Sequence, residues 1–302
     1  MGSYDDNDEE TVGLGNVEAA IEAVERLADI DRVTEADVSI APGLLIAPKG
    51  KQVVDLRPFQ EARLERPRRI HGHARHTTLD SFIDHAVRFK DAGSAIYAND
   101  DIRKPSLLAV LDYHERAGAP RFGTHRSVYD FPFSDPWVAW ATLAAKGWIA
   151  QADLAAFLEE RIVDVILPED GLLSTREKVK KAGIEMGAPS SIAGLARNLN
   201  VTVNAEISSA TTLATGEGQL LFKETHQTSV KVPGGLLLAV PVFRGGLAED
   251  VVVRLRYRVT EGKVRFAVLL HDVDALFRNA FNESCARVVE KTALPVFFGS
   301  PE

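Results

Sequence analysis

Apolar positions along this chain recur with two periods, and the change from one to the other divides it. Val17, Ala20, Ile21, Val24, Leu27 and Ala28 lie at helical spacing, so 16–29 reads as an amphipathic helix with Asn16 as its cap. Leu79, Phe82, Ile83, Ala86 and Val87 form a second stripe, opened by Thr77 or Thr78 and stopped by Gly93. Strands are expected at 95–98 and 107–113, and a third, 124–129, folds back across 116–121. The middle is helical. Ser134 caps a helix over 136–146 with Gly147 behind it, and helices follow at 151–160, at 174–186 up to Gly187, and from Ser190 or Ser191.

After residue 200 the period falls to two. Strands are expected at 201–207, 218–224, 236–240, 251–259 and 263–270, joined by glycine-bearing turns, and Asp272 caps a closing helix. The class is therefore α+β: a helical middle segment packed with a C-terminal antiparallel β-meander and a closing helix. Three segments are expected: 1–50, an acidic tail plus helix; 51–200, an α+β segment with a basic arm at 57–76; and 201–302, sheet plus helix. The last two should form one compact unit.

Charge sharpens this division. The net charge is −8, yet residues 1–50 carry −9 and residues 51–302 carry +1. A neutral body does not coat nucleic acid by bulk electrostatics, but it can hold a local basic groove. The single cysteine, Cys285, excludes an intramolecular disulfide and is expected to be packed rather than reactive. With no leader pattern and no long apolar run, the expected setting is the cytoplasm of a bacterial host cell, away from membrane.

The arginine strand carries the most chemistry. In 251–259, Val251, Val253, Leu255, Tyr257 and Val259 share one face, and Arg254, Arg256 and Arg258 share the other. Lys263 and Arg265 lie on a common face of the next strand. Placed on one side, the five would suit a phosphate backbone or an acidic partner. The alternative is an ordinary solvated sheet face neutralised by acidic neighbours. A second basic stretch, Arg63, Arg66, Arg68, Arg69 and Arg75, lies in a segment read as irregular. It reads as a gripping arm or as a solvated loop.

His71, His73 and His76 crowd six residues, but their spacing matches no zinc-binding pattern, and no metal is expected there. Asp112 and His114 alternate on an expected strand, with His125 across the hairpin. They form a weak catalytic candidate, or a structural hydrogen-bond cluster. Gly13-Leu14-Gly15 follows no strand and lacks a third glycine, and neither a P-loop nor a Gly-x-Ser-x-Gly elbow occurs, so no cofactor is expected. Trp137, Trp140 and Trp148 flank one helix and read as core.

The order of several short motifs resembles the YfdQ-like family of phage and prophage proteins. They are Leu79-Asp80-Ser81-Phe82, Val110-Leu111-Asp112-Tyr113-His114, Gly123-Thr124-His125-Arg126, Trp137 with Trp140, Phe157-Leu158-Glu159-Glu160, Pro241-Val242-Phe243 and Arg254-Leu255-Arg256-Tyr257-Arg258. The resemblance spans roughly residues 50–300 and implies a phage-related origin without an activity to transfer. Three functions remain on the table. The first is a homo-oligomeric accessory protein binding single- or double-stranded DNA through the basic strand and arm. The second is a self-assembling or partner-binding structural protein. The third is a metal-dependent hydrolase-like enzyme built on Asp112, His114 and His125, and an enzyme is the less expected outcome.

Overall fold

The computed structural model describes residues 69–301, apart from 117, 202–206, 213–217, 223–228 and 262, together with 19, 22 and 64–67. The apolar run Leu44-Leu45-Ile46, which reads as a strand or an extended connection between Pro42-Gly43 and Pro48-Lys49-Gly50, lies outside the described residues, as do most of the helix at 16–29 and of the arm at 57–68. Met1–Arg69 forms one unit and Ile70–Glu302 another. The second is described below.

Its first half is a mixed five-stranded sheet in the order β1-β4-β3-β2-β12. The strands are β1 (Gly72–His76), β2 (Ala95–Asn99), β3 (Ser106–Val110), β4 (His125–Asp130) and β12 (Val296–Phe298). The hairpin β3–β4 folds back as expected. The segment read as irregular up to His76 instead ends in β1, paired in parallel with β4 from Gly72↔His125 to His76↔Tyr129. An edge strand exposed along most of its length needs no apolar face, so hydrophobic alternation could not reveal it. Helix α1 (Leu79–Phe89) lies on this sheet. The Thr78 side chain accepts from the Ser81 N–H as its N-cap, and Phe82, Ile83 and Ala86 are buried.

Helix α2 (Asp135–Ala145) is capped by Ser134, whose side chain accepts from the Trp137 N–H. Gly147, at φ +70°, turns the chain out of the helix and into strand β5 (Trp148–Ala150), followed by α3 (Gln151–Glu160). Helix α4 (Leu173–Lys181) is shorter than expected. Gly183 takes φ +62° just past its end, and the chain then runs extended, bridging Met186 to Gly235. Helix α5 (Pro189–Val201) is longer than expected and occupies the start of what reads as a strand at 201–207.

The expected antiparallel meander is present but divided between two sheets. Strands β6 (Ile207–Thr212), β7 (Gly218–Phe222) and β8 (Ser229–Val232) form one, with β8 unforeseen. The other has the order β5-β11-β10-β9, from β9 (Gly235–Pro241), β10 (Ala248–Thr260) and β11 (Lys263–Leu270). Helix α6 (Val273–Thr292) closes the unit. Asp272 stands at its cap position but makes no side-chain cap. Its backbone is left-handed (φ 53°), and its carboxylate lies 3.2 Å from His271 Nε2 and 3.9 Å from Lys178 Nζ.

One continuous core joins the elements. Phe131 of the segment after β4 packs on Phe243 at 4.8 Å and on Phe281 of α6 at 5.1 Å between ring centres, so α6 ties the two larger sheets together. Cys285 is buried among these residues, and burial with the charge of Asp100 pushes its thiol up to about 12, out of reach of thiolate chemistry. Among the described residues, no helix is long and apolar enough to cross a membrane.

Candidate functional site

Strand β10 buries Val251, Val253 and Leu255 on one face, as its alternation requires. The opposite face is decided by its register with β11. Arg258 stands directly across from Arg265, Thr260 from Lys263, and Arg256 from Ala267. Directly paired residues of antiparallel strands share a face, so the two cationic sets do lie on one side. Arg256, Arg258, Lys263 and Arg265 are exposed, and Arg254 is half-buried with its Nε unpartnered. Among the described residues, no acidic side chain is paired across from them. Among the described residues, none of these five cations takes part in a salt bridge. Two like charges held directly opposite destabilise a sheet, and here Arg258 and Arg265 are so held.

Strand β5 extends this face. Its register puts Trp148 beside Ala267, so one row across three strands reads Arg256, Ala267, Trp148. The Arg258 guanidinium carbon lies 4.4 Å from the centre of the Trp148 ring. Trp137 and Trp140 are core as expected, with Trp140 Nε1 donating to Asp164 at 2.9 Å. Trp148 is not: it keeps 37% of its surface exposed, and Ile149 supplies the strand's core contact instead. A three-residue strand is too short to show a period, so only the helix-stopping Gly147 before it hinted that Trp148 had left the helical stripe.

The far end of the same face is covered. Leu237 and Val252 are buried there, and the chain from 168 to 187 crosses this end. The Leu172 N–H donates to the Asp250 carboxylate at 2.6 Å, and the Gly187 N–H donates to the Gly235 carbonyl at 2.9 Å. Helix α4 thereby packs on β10, carrying exposed Arg176, Lys180 and Lys181. A cleft of about 550 Å³ lies between this helix and β9, floored by Val179, Ile184, Met186 and Leu237. The basic helix was legible in composition but not singled out.

The remaining candidates fall elsewhere. Arg75 sits on β1 of the other sheet and pairs with Asp130. Arg66 and Arg69 are exposed, and Arg68 lies outside the described residues. Asp112 and His114 do not alternate on a strand, because β3 ends at Val110. The Asp112 carboxylate accepts the N–H groups of His125 at 2.8 Å and Thr124 at 3.0 Å. Burial raises its pKa, but these donors outweigh it and hold the carboxyl below the usual range. His114 Nδ1 accepts from the Arg121 N–H at 2.9 Å. Both side chains fasten the β3–β4 connection.

The crowded histidines are dispersed by the pleat of β1, with His73 and His76 on opposite faces. His76 meets His85 of α1 at 4.9 Å between ring centres, and His85 lies 6.0 Å from His125. His85 escaped the sequence reading because helical spacing placed it in the stripe's margin. His76 Nδ1 shares a hydrogen bond with Ser81 Oγ at 3.0 Å, while His76 Nε2 and His85 Nδ1 are buried without partners. Burial pulls all three imidazoles below their ordinary pKa of 6.5. At His85, the charges of His76, His125 and Arg88 add to the effect. Among the described residues, no group of three or more His, Cys, Asp or Glu is placed to hold a metal ion.

No curated protein matches the chain. No solved structure matches it. A family model matches residues 16–301, nearly the whole length, and the chain therefore belongs to the uncharacterized conserved protein family DUF2303.

Proposed function

We propose that this protein is a phage- or prophage-derived accessory protein that works as a homo-oligomer and binds nucleic acid through the exposed face of β10, β11 and β5. One observation carries the reading. Register gathers Arg256, Arg258, Lys263 and Arg265 on one side of a rigid sheet, and no salt bridge engages them among the described residues. Unneutralised cations on a fixed scaffold suit a polyanion, because bound phosphates replace a costly mutual repulsion with attraction and release counterions. Exposed Arg176, Lys180 and Lys181 on α4 extend the positive surface. The phage attribution rests on the resemblance of the motif order to that of the YfdQ-like family.

Fluorescence anisotropy with labelled DNA across a salt series tests this. Binding that weakens steeply with salt, and that weakens further in Arg256→Ala, is the expected result. Salt-insensitive or absent binding overturns it.

A second reading, subunit association without nucleic acid, is favoured by a different surface. Edge strand β12 presents Phe297 and Phe298 with 49% and 59% of their surfaces exposed. Light scattering separates the two. A large particle indifferent to oligonucleotide, and lost in Phe297→Ser, would favour assembly.

A further inference from the structure

We infer that the occupant of the β5–β11–β10 face is a single strand of nucleic acid, with a base stacked at Trp148 and its phosphates on Arg256, Arg258, Lys263 and Arg265. The inference rests on the nucleic-acid reading above and names the form of the ligand.

The shape of the face argues for it. In the row Arg256, Ala267, Trp148, the outer two residues stand about two strand spacings apart, roughly 10 Å. The residue between them contributes only a methyl group. Ala267 keeps only 7% of its surface exposed, because the Arg258 side chain reaches across β11 to the Trp148 ring; the result is a shallow cationic shelf with an indole at its edge. The next row, Arg258, Arg265 and Ala150, continues it with two cations and another methyl. A cationic shelf flanked by an aromatic platform is what an unpaired strand needs, since its phosphates and the faces of its bases are both available.

The hydrophobic core does not call for an indole at 148. The core contact of β5 is made by Ile149, and Trp148 lies on the open side of an edge strand. Its ring instead meets the Arg258 guanidinium, and this pair offers a flat π surface beside the cations.

A duplex fits less well. Its bases are stacked on each other and leave the indole without a π partner. A two-stranded ribbon can enter a major groove about 12 Å wide. Here β5 pairs along β11 from Arg265 to Ala267, so the surface is three strands across where the cations stand. Side chains added to roughly 10 Å of backbone make that too broad to insert. The face can lie along a single strand but cannot enter a groove.

The experiment uses the full chain and two labelled probes, an oligo-thymidylate of about 20 nucleotides and a mixed-sequence duplex of about 20 base pairs, each longer than a single-strand site of roughly 4–16 nucleotides. The oligo-thymidylate should bind at least about tenfold more tightly than the duplex and quench tryptophan emission. Trp148→Ala should weaken strand binding about tenfold and abolish the quench, since Trp137 and Trp140 are buried. Trp148→Phe should keep much of the affinity. Trp148→Leu, which keeps apolar bulk without a π face, should behave like Trp148→Ala and guards against a folding defect.

Two results overturn the inference, and they are distinguishable. Salt-sensitive binding to duplex at equal or greater strength, with Trp148→Leu harmless, would refute the single strand and leave the basic face as a duplex surface. Absence of salt-sensitive binding to either probe would remove the nucleic-acid reading and this inference with it.

Discussion

His76, His85 and His125 sit between helix α1 and the five-stranded sheet, while Arg256, Arg258, Lys263 and Arg265 stand on the open face of the four-stranded one. The first group can shed its charge: burial lowers each imidazole's pKa and so favours the neutral ring in this packed seam. The second cannot, because guanidinium stays protonated at any biological pH, so it must remain in water or meet an anion. Clustered basic residues are thus two different materials. Where the proton can leave, a cluster can serve as a wall of the core. Where it cannot, a cluster without salt bridges stays on the surface, in contact with water.

The largest effect expected is on the histidine side. Phe82 is fully buried and touches both His76 and Tyr129, at 6.1 and 6.4 Å between ring centres. Phe82→Ala should cost about 3–5 kcal/mol, read as a lower midpoint in urea unfolding. At a temperature where the variant remains folded, its affinity for oligonucleotide should be unchanged. A small stability loss, or a selective loss of binding, would mean that this seam is more than a wall.

Charge reversal on the other side should do the opposite. Arg256→Glu with Arg265→Glu should weaken nucleic-acid binding by about two orders of magnitude and flatten its salt dependence, which runs near −0.7 in log–log slope per phosphate on a single strand. The unfolding midpoint should stay put or rise, because Arg258 would gain a carboxylate directly opposite in place of a like charge. Loss of stability together with binding would break the distinction between the two regions.

Acid should separate them next. Each seam imidazole has a folded-state pKa below 6.5, so the unfolded chain binds more protons as pH falls. Stability is therefore full above about pH 6.5 and is lost progressively as pH drops from there toward the folded-state values. The groups facing these rings act in both directions: neighbouring cations enlarge the effect and a carboxylate opposes it. His76 and His125 flank His85 with Arg88 on its own helix, Ser81 bonds His76, and Asp112 favours the charged form of His125 while His71 opposes it. Thermal melts between pH 7 and pH 5 should show a falling Tm, by about 2–4 °C for each kcal/mol lost. His85→Leu should reduce that slope by removing the ring most strongly coupled to its neighbours. A Tm flat across this window would show that the imidazoles are not held neutral.

How far the sequence reveals these regions follows from the range of the signals involved. Alternation in 251–259 and the Glu261-Gly262 turn were local, so the long hairpin and its cationic side were legible. So were the caps at Thr78 and Ser134, where a hydroxyl precedes an apolar stripe. What escaped depends on pairing between distant segments. Strand β1 finds β4 some fifty residues away, β12 finds β2 some two hundred away, and β5 is too short to show a period. Those misses decided the site. Trp148 reaches the basic face only through β5's pairing with β11, and His76 meets His125 only through β1's pairing with β4. Asp112 and His114 misled because two residues of like chemistry at spacing two suggest a strand that stops at Val110.

The smallest effect is the most discriminating. Arg265 faces Arg258 across a directly paired position, with Ala150 on its other side. Arg265→Thr replaces one of two opposed charges with a residue suited to a strand, and it should stabilise the fold by a few tenths of a kcal/mol, the scale of a cross-strand pair. The same change removes one phosphate contact, so affinity for an oligonucleotide should fall as stability rises. Opposite signs are the signature of a residue kept at a cost to folding because a ligand uses it. Equilibrium unfolding and anisotropy on the same preparation measure both. If stability drops instead, Arg265 is serving the sheet, and the basic face loses its strongest claim to be a site.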